Sequence, residues 1–233
     1  MTTDPVRYTL DGTTAIVTMD DGKANALSYA MIDALLEALG RAEREAAALV
    51  LAGRPEKFCA GFDLKVMMSG PDATRQLLRR GADLLMRLYG TPLPLVIACT
   101  GHAIAGGALV VLTGDIRLGA AGPFRIGLNE VSIGLPVPML AMELARDRLT
   151  PSALPHATLG AQLHGPDEAV AAGYLDAAVP ADELAARAAA EAARLGALSR
   201  MAYRATKQRL RGATIARITG GLDADMASLL QPA

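Results

Sequence analysis

The stretch Ala98-Cys-Thr-Gly-His-Ala-Ile-Ala-Gly-Gly-Ala-Leu109 constrains the fold more than any other, because one apolar run ends in it and another begins after a passage through small residues. Leu95-Val-Ile-Ala-Cys99 has the two-sided apolar character of a strand buried within a sheet. From Gly106 to Leu112 no side chain is polar, which predicts a buried helix ending near Thr113. Gly106 and Gly107 in its first turn cost about 1 kcal/mol each relative to alanine in a helix interior, but they let something bulky approach the backbone. The stretch reads as a strand-to-helix turn with exposed amides, and free N–H groups at a helix start stabilise an anion.

Length and composition bound what surrounds this turn. The 233 residues, 52% hydrophobic and 20% charged, suffice for one large domain with an ample core, or one domain with a smaller appendage. A net charge of −1 and 3% aromatic content offer neither a basic surface nor a stacking platform, so no nucleic-acid or anionic-membrane partner is expected. Without a long apolar run, a leader pattern or a lipidation motif, the expected location is cytoplasmic. Cys59 and Cys99 lack metal-ligand spacing and are expected to be buried thiols.

In chain order, Val6–Leu10 and Thr14–Met19 flank an Asp11-Gly12 turn and predict a hairpin. A polar loop, Asp20–Ala26, leads to Ser28, the N-cap of a helix with Met31, Ile32, Leu35, Leu36 and Leu39 on its apolar face. Ala48–Ala52 predicts a buried strand, and Gly53–Leu64 a loop whose Cys-Ala-Gly centre is a second turn rich in exposed backbone. An amphipathic helix is expected over Asp72–Tyr89, strands over Asp115–Leu118, Phe124–Ile126 and Asp176–Val179, a helix over Met139–Leu149 and a short one starting at Gly165 and ended by Gly173. Beyond Pro180 the composition turns alanine-rich, and three helices are expected: Glu183–Leu195, Ser199–Arg211 and a last one presenting Ile215, Ile218, Leu222, Met226 and Leu229.

The ordered motifs Phe58-Cys-Ala-Gly-Phe-Asp-Leu64, Gly101-His-Ala-Ile-Ala-Gly-Gly107, Asp115, Gly127-Leu-Asn-Glu-Val-Ser-Ile-Gly134 and Gln162–Pro180 resemble the crotonase (enoyl-CoA hydratase/isomerase) superfamily along nearly the whole chain. The resemblance implies an α/β, ClpP/crotonase-like fold of repeated ββα units, with a core over 1–179 and a helical trimerisation region over 180–233. A homotrimer or a hexamer, as a dimer of trimers, follows from it. It implies an acyl-CoA thioester as substrate, so that coenzyme A enters as part of the substrate and no separate cofactor or metal is needed. The thioester oxygen would sit between the backbone N–H groups of Ala60 and Gly106. This fits the chemistry, because enolisation places negative charge on that oxygen and preorganised amides stabilise it. Lys23, Ala24 and Ala26 match the loop along the CoA nucleotide, and Phe62, Leu64 and Lys65 lie beside the pantetheine path.

Relatives that hydrate 2-enoyl-CoA carry two glutamates. The first position is Leu109 here and the second matches Glu130. One carboxylate beside an oxyanion hole suits proton abstraction and return, which resembles Δ3,Δ2-enoyl-CoA isomerases. The alternatives are hydration by one glutamate and a non-catalytic acyl-CoA binder. Met67, Met68, Leu135, Pro136 and Met139 are the residues available to set acyl-pocket depth. His102 has no nucleophile motif to pair with and reads as a structural or pocket-wall residue, Asp63 and Asp115 as holders of loop amides or a helix start, and His156 and His164 as loop residues without ligand spacing. A neighbouring subunit's last helix contributes a CoA contact in relatives, but little chain follows Leu230 to supply one.

Overall fold

A computed structural model describes residues 4–229; the segment after Leu230, on which the expected inter-subunit CoA contact depends, lies outside the described residues. The elements in order are β1 (Val6–Asp11), β2 (Thr14–Met19), α1 (Tyr29–Glu45), β3 (Ala48–Ala52), β4 (Glu56–Cys59), α2 (Leu64–Met67), α3 (Pro71–Gly90), β5 (Leu95–Cys99), β6 (Gly101–Ile104) and α4 (Gly106–Thr113). There follow β7 (Ile116–Ala120), β8 (Ile126–Gly127), α5 (Met139–Arg148), α6 (Leu154–Thr158), α7 (Pro166–Ala172), β9 (Ala177–Val179), α8 (Leu184–Gly196) and α9 (Arg200–Leu229).

Two sheets organise the chain. The larger has the order β1-β2-β3-β5-β7-β9, with β1 antiparallel to β2 and the other pairs parallel; the smaller, β4-β6-β8, is entirely parallel. In three successive units the first strand joins the large sheet, the second joins the small one, and a helical segment follows, which is the expected ββα repeat. Alternation along β3 explains the layering. Leu49 and Leu51 face the main core, shared with α1, α3, α4, α5 and α9, while Ala48 and Val50 face a second cluster beneath α8. All eight residues of α4 are buried, and its one polar side chain, Thr113, donates to the Val110 carbonyl at 2.7 Å. Among the described residues no helix is long and apolar enough to cross a membrane.

Several expectations are corrected. The strand-to-helix turn after β5 contains β6, separated from β5 by Thr100 alone, and the loop expected over Gly53–Leu64 contains β4. Both are four-residue strands whose pairing partners are distant in sequence, so local patterning could not reveal them. The chain switches sheets at Gly101, where an added Cβ would fall 2.0 Å from the Glu56 carbonyl carbon. The strand expected over Phe124–Ile126 is instead Ile126–Gly127, and His156 lies in α6 rather than a loop. The helices expected over Ser199–Arg211 and beyond are one 30-residue helix, α9. Its Ile218, Leu222 and Met226 are buried in the main core, with α9 packed along α3 and α5, and tertiary burial outweighs the weak helix propensity of Gly220 and Gly221.

A buried ion cluster anchors α9. Asp115 receives Lys207 at 2.6 Å and Arg211 at 2.8 Å, and also accepts the Leu95 amide at 2.8 Å. Asp115 thus holds the first amide of strand β5, rather than a loop amide or a helix start as expected, and two cations besides. Arg211, 2% exposed, donates to the carbonyls of Tyr89, Thr113 and Gly114 at the C-terminal ends of α3 and α4, where positive charge complements the helix dipole. Lys207 donates to the carbonyls of Thr91 and Leu93, and burial holds its pKa down at about 8. Removing the anion leaves two buried cations without their counter-charge, so Asp115→Asn is expected to lower unfolding stability by about 3–5 kcal/mol, read from urea midpoints against wild type.

Candidate active site

The small parallel sheet ends in three loops, and each carries one of the residues singled out by motif. Ala60 follows Cys59 at the end of β4, Gly106 follows β6 across Ala105, and Glu130 lies three residues beyond Gly127 of β8. Because β4, β6 and β8 run parallel, all three emerge at the same C-terminal edge, where ligands of parallel sheets bind. The Ala105 amide donates to the Gly127 carbonyl at 2.9 Å, which ties the turn before α4 to the segment leading to Glu130.

The first turn of α4 sits against the end of β4 at backbone distance. A Cβ on Gly107 would fall 2.0 Å from the Cys59 carbonyl oxygen, and one on Gly61 would lie 3.3 Å from the Gly106 nitrogen. Ala105, the N-cap, has φ 50° and ψ −119°, a strained conformation for a residue with a side chain and one that recurs at functional turns. The Gly106 N–H, at the first helical position, has no acceptor among the described residues. The Ala60 N–H donates to the Ala24 carbonyl at 3.0 Å. The two amides therefore differ: one is open, and the other is held by the loop expected to meet the CoA nucleotide.

That loop is positioned by a residue the sequence reading did not single out. Asn25 is fully buried at φ 54°, and its side-chain amide donates to the carbonyls of Met19, Lys57 and Phe58. The signal was present, since asparagine tolerates the left-handed region and suits a polar turn. Leu27 continues the contact by a parallel bridge to Phe62. Lys23 is exposed and its carbonyl accepts from Arg54, while Ala24 and Ala26 are half-buried and Ala24 alone of the three bonds to Ala60.

Glu130 is 8% exposed, and its Oε2 has no hydrogen-bond partner among the described residues. Burial pushes its carboxyl pKa up, partly offset by the nearby backbone amides of Glu130 and Asn129. Leu109, 3% exposed, lies one turn into α4 and lines a largely apolar cavity of about 40 Å³ with Phe62 and the α9 residues Leu222, Asp225, Met226 and Leu229. The last helix thus packs over its own chain and walls this cavity. Met67, Met68, Leu135, Pro136 and Met139, expected to set pocket depth, are not in its lining; Leu78, Ala82, Leu85, Pro138 and Leu140 are. Phe62 is wedged between Gly81 of α3 and Gly106, where a Cβ on Gly81 would meet its ring at 2.1 Å. Leu64 at 68% and Leu135 at 45% exposure lie open on the surface, as does Lys65.

Asp63 caps α2 by accepting from the Lys65 amide at 2.9 Å. His102 accepts the Arg125 amide on Nδ1 and meets Phe124 edge-on. Cys59 and Cys99 are buried and free, with burial pushing each thiol up to about 12. Among the described residues no group of three His, Cys, Asp or Glu side chains is placed to hold a metal.

Comparison with known proteins gives concordant results. Residues 10–231 match a family model described as enoyl-CoA hydratase/isomerase. The chain is 30% identical over 221 residues to human mitochondrial enoyl-CoA delta isomerase 1, covering 93% of this chain and 73% of that protein. A crystal structure of an enoyl-CoA hydratase/isomerase family protein from Pseudomonas syringae superposes with a TM-score of 0.95 at 39% identity, covering 97% of this chain and 98% of that one. A probable enoyl-CoA hydratase from Mycobacterium tuberculosis superposes with a TM-score of 0.93 at 41% identity, covering 97% and 96%.

Two outcomes follow from this geometry. Gly107→Ala forces a methyl group into the Cys59 carbonyl, with an expected stability loss of about 3 kcal/mol in chemical denaturation. Because the folded-state pKa of Glu130 is raised, its burial weakens stability as pH rises through that pKa. Glu130→Gln is therefore expected to melt higher than wild type at pH 7, with the difference shrinking towards the acid range where both are neutral.

Proposed function

Because this chain belongs to the enoyl-CoA hydratase/isomerase family, we propose that it moves the double bond of a 3-enoyl-CoA to the 2-position by proton transfer through Glu130. The observation that carries this reading is a single buried carboxylate, with an unpartnered oxygen, at the sheet edge that also presents the amides of Ala60 and Gly106. The substrate's thioester oxygen would accept from both amides. Gly106 is open to do so, while Ala60 shares its N–H with the Ala24 carbonyl or exchanges that bond for the substrate. Glu130 takes a proton from C2, the electron pair delocalises over C2–C4 and the thioester oxygen as a dienolate, and the protonated Glu130 returns the proton to C4. The raised carboxyl pKa brings the acid and base forms closer in energy, which favours a group that must act as both.

Leu109 supports isomerisation over hydration, because its buried apolar side chain stands where a second, water-activating carboxylate would be needed. Lys23, Ala24 and Ala26 would run beside the nucleotide, and the exposed Leu64, Lys65 and Leu135 beside the pantetheine arm. Coenzyme A is part of the substrate in this reading, with no further cofactor, and the assembly is a trimer or a dimer of trimers, checked by light scattering.

Turnover of 3-enoyl-CoA is the direct test. Wild type is expected to isomerise it faster than it hydrates 2-enoyl-CoA, and Glu130→Gln to lose about 10²–10⁴-fold in kcat. Equal turnover by the variant removes Glu130 from the mechanism, and dominant hydration by wild type overturns the assignment as an isomerase.

A further inference from the structure

Beside β8, the strand that leads to Glu130, lie two buried aromatic side chains whose polar atoms the proposed reaction does not use. Tyr174 is fully buried and His164 is 5% exposed, and the Tyr174 hydroxyl and His164 Nε2 both lack a hydrogen-bond partner among the described residues, as Glu130 Oε2 does. The two rings lie 5.7 Å apart, and the phenol sits by the Leu128 backbone within electrostatic reach of Glu130. Local structure holds both side chains in place. His164 exchanges two backbone hydrogen bonds with Ile126, at 2.9 and 3.0 Å, on the strand that leads to Glu130. Gly173 ends α7 at φ 94° against the Arg148 carbonyl, so the next residue, Tyr174, turns into the core.

Native proteins satisfy nearly all buried polar groups, so the unpartnered Tyr174 hydroxyl and His164 Nε2, on neighbouring rings, together with the unpartnered Glu130 Oε2, point to a partner besides the protein's own groups. A buried water makes two to four hydrogen bonds to such groups. We propose that Tyr174, His164 and Glu130 bind one buried water, and that through it Tyr174 and His164 act as positioning residues for the Glu130 carboxylate. The Tyr174 hydroxyl donates to the water oxygen, and the water donates one hydrogen to His164 Nε2 and the other to Glu130 Oε2, which leaves Oε1 to face the substrate. The protonation states agree with this directionality. Burial keeps the phenol protonated and the imidazole neutral, the latter against a small opposing pull from Glu168 and a push from His156. The catalytic part of this inference rests on the proton-transfer role assigned to Glu130; the water site does not.

Tyr174→Phe and His164→Leu test it, alongside a high-resolution crystal structure of wild type. The structure is expected to show an ordered water within hydrogen-bond distance of all three atoms. Both variants lose a partner of the water, so the ionised carboxylate is less stabilised, and the acid limb of the kcat/KM profile is expected to move to higher pH. For Tyr174→Phe, kcat should fall about tenfold with KM changed less than about twofold, while thermal melting confirms folding. A dry site in the crystal overturns the water. Folded variants with wild-type kcat and an unmoved acid limb overturn the positioning role, provided Glu130→Gln is inactive. If Glu130→Gln retains full activity, the reaction assignment fails instead, and the crystal structure alone decides the water site.

Discussion

The close approach of the first turn of α4 to the end of β4 governs the rest of the site. Gly107 has no Cβ, and the Cys59 carbonyl occupies the space one would fill, so the helix start and the strand end meet backbone to backbone. That contact sets Gly106 beside Gly61 and Phe62 and brings the Ala60 and Gly106 amides to the same edge. The strained N-cap at Ala105 is sustained by the same packing and by its hydrogen bond to Gly127.

The far end of α4 completes the electrostatics. Arg211 donates to the carbonyls of Thr113 and Gly114, and Asp115 holds it there together with Lys207. Positive charge complements the helix dipole at the C-terminal end, while the positive N-terminal end keeps the Gly106 N–H open for an anion. A single long helix, α9, supplies the cations at one point along its length and walls the largely apolar cavity beside Leu109 further on. The anchoring of α9 and the shape of the cavity beside Leu109 are therefore mechanically linked.

Legibility in the sequence tracked how local each cause is. The helices α1, α3 and α4 and the hairpin β1–β2 were readable because amphipathic spacing, an uninterrupted apolar run and a turn signal act within one segment. The strands β4 and β6 were not, since each is short and defined by partners more than 20 residues away. Asn25 was passed over as a polar loop residue, although its three bonds to backbone carbonyls hold the loop against β4. Ser199–Arg211 and the segment presenting Ile215 to Leu229 read as separate helices, whereas they are one, with Ile218, Leu222 and Met226 buried in the main core.

By itself the sequence determined the chemical inventory: two glycine-rich turns able to offer amides, a carboxylate at Glu130 and an apolar Leu109 in the run after the Gly106-Gly107 turn. Tertiary structure decided how these meet. Parallel pairing of β4, β6 and β8 delivers three loops from distant parts of the chain to one edge, and burial there raises the pKa of Glu130. Sheet pairing and desolvation depend on neighbours far away in sequence, and for that reason only the folded chain could fix them.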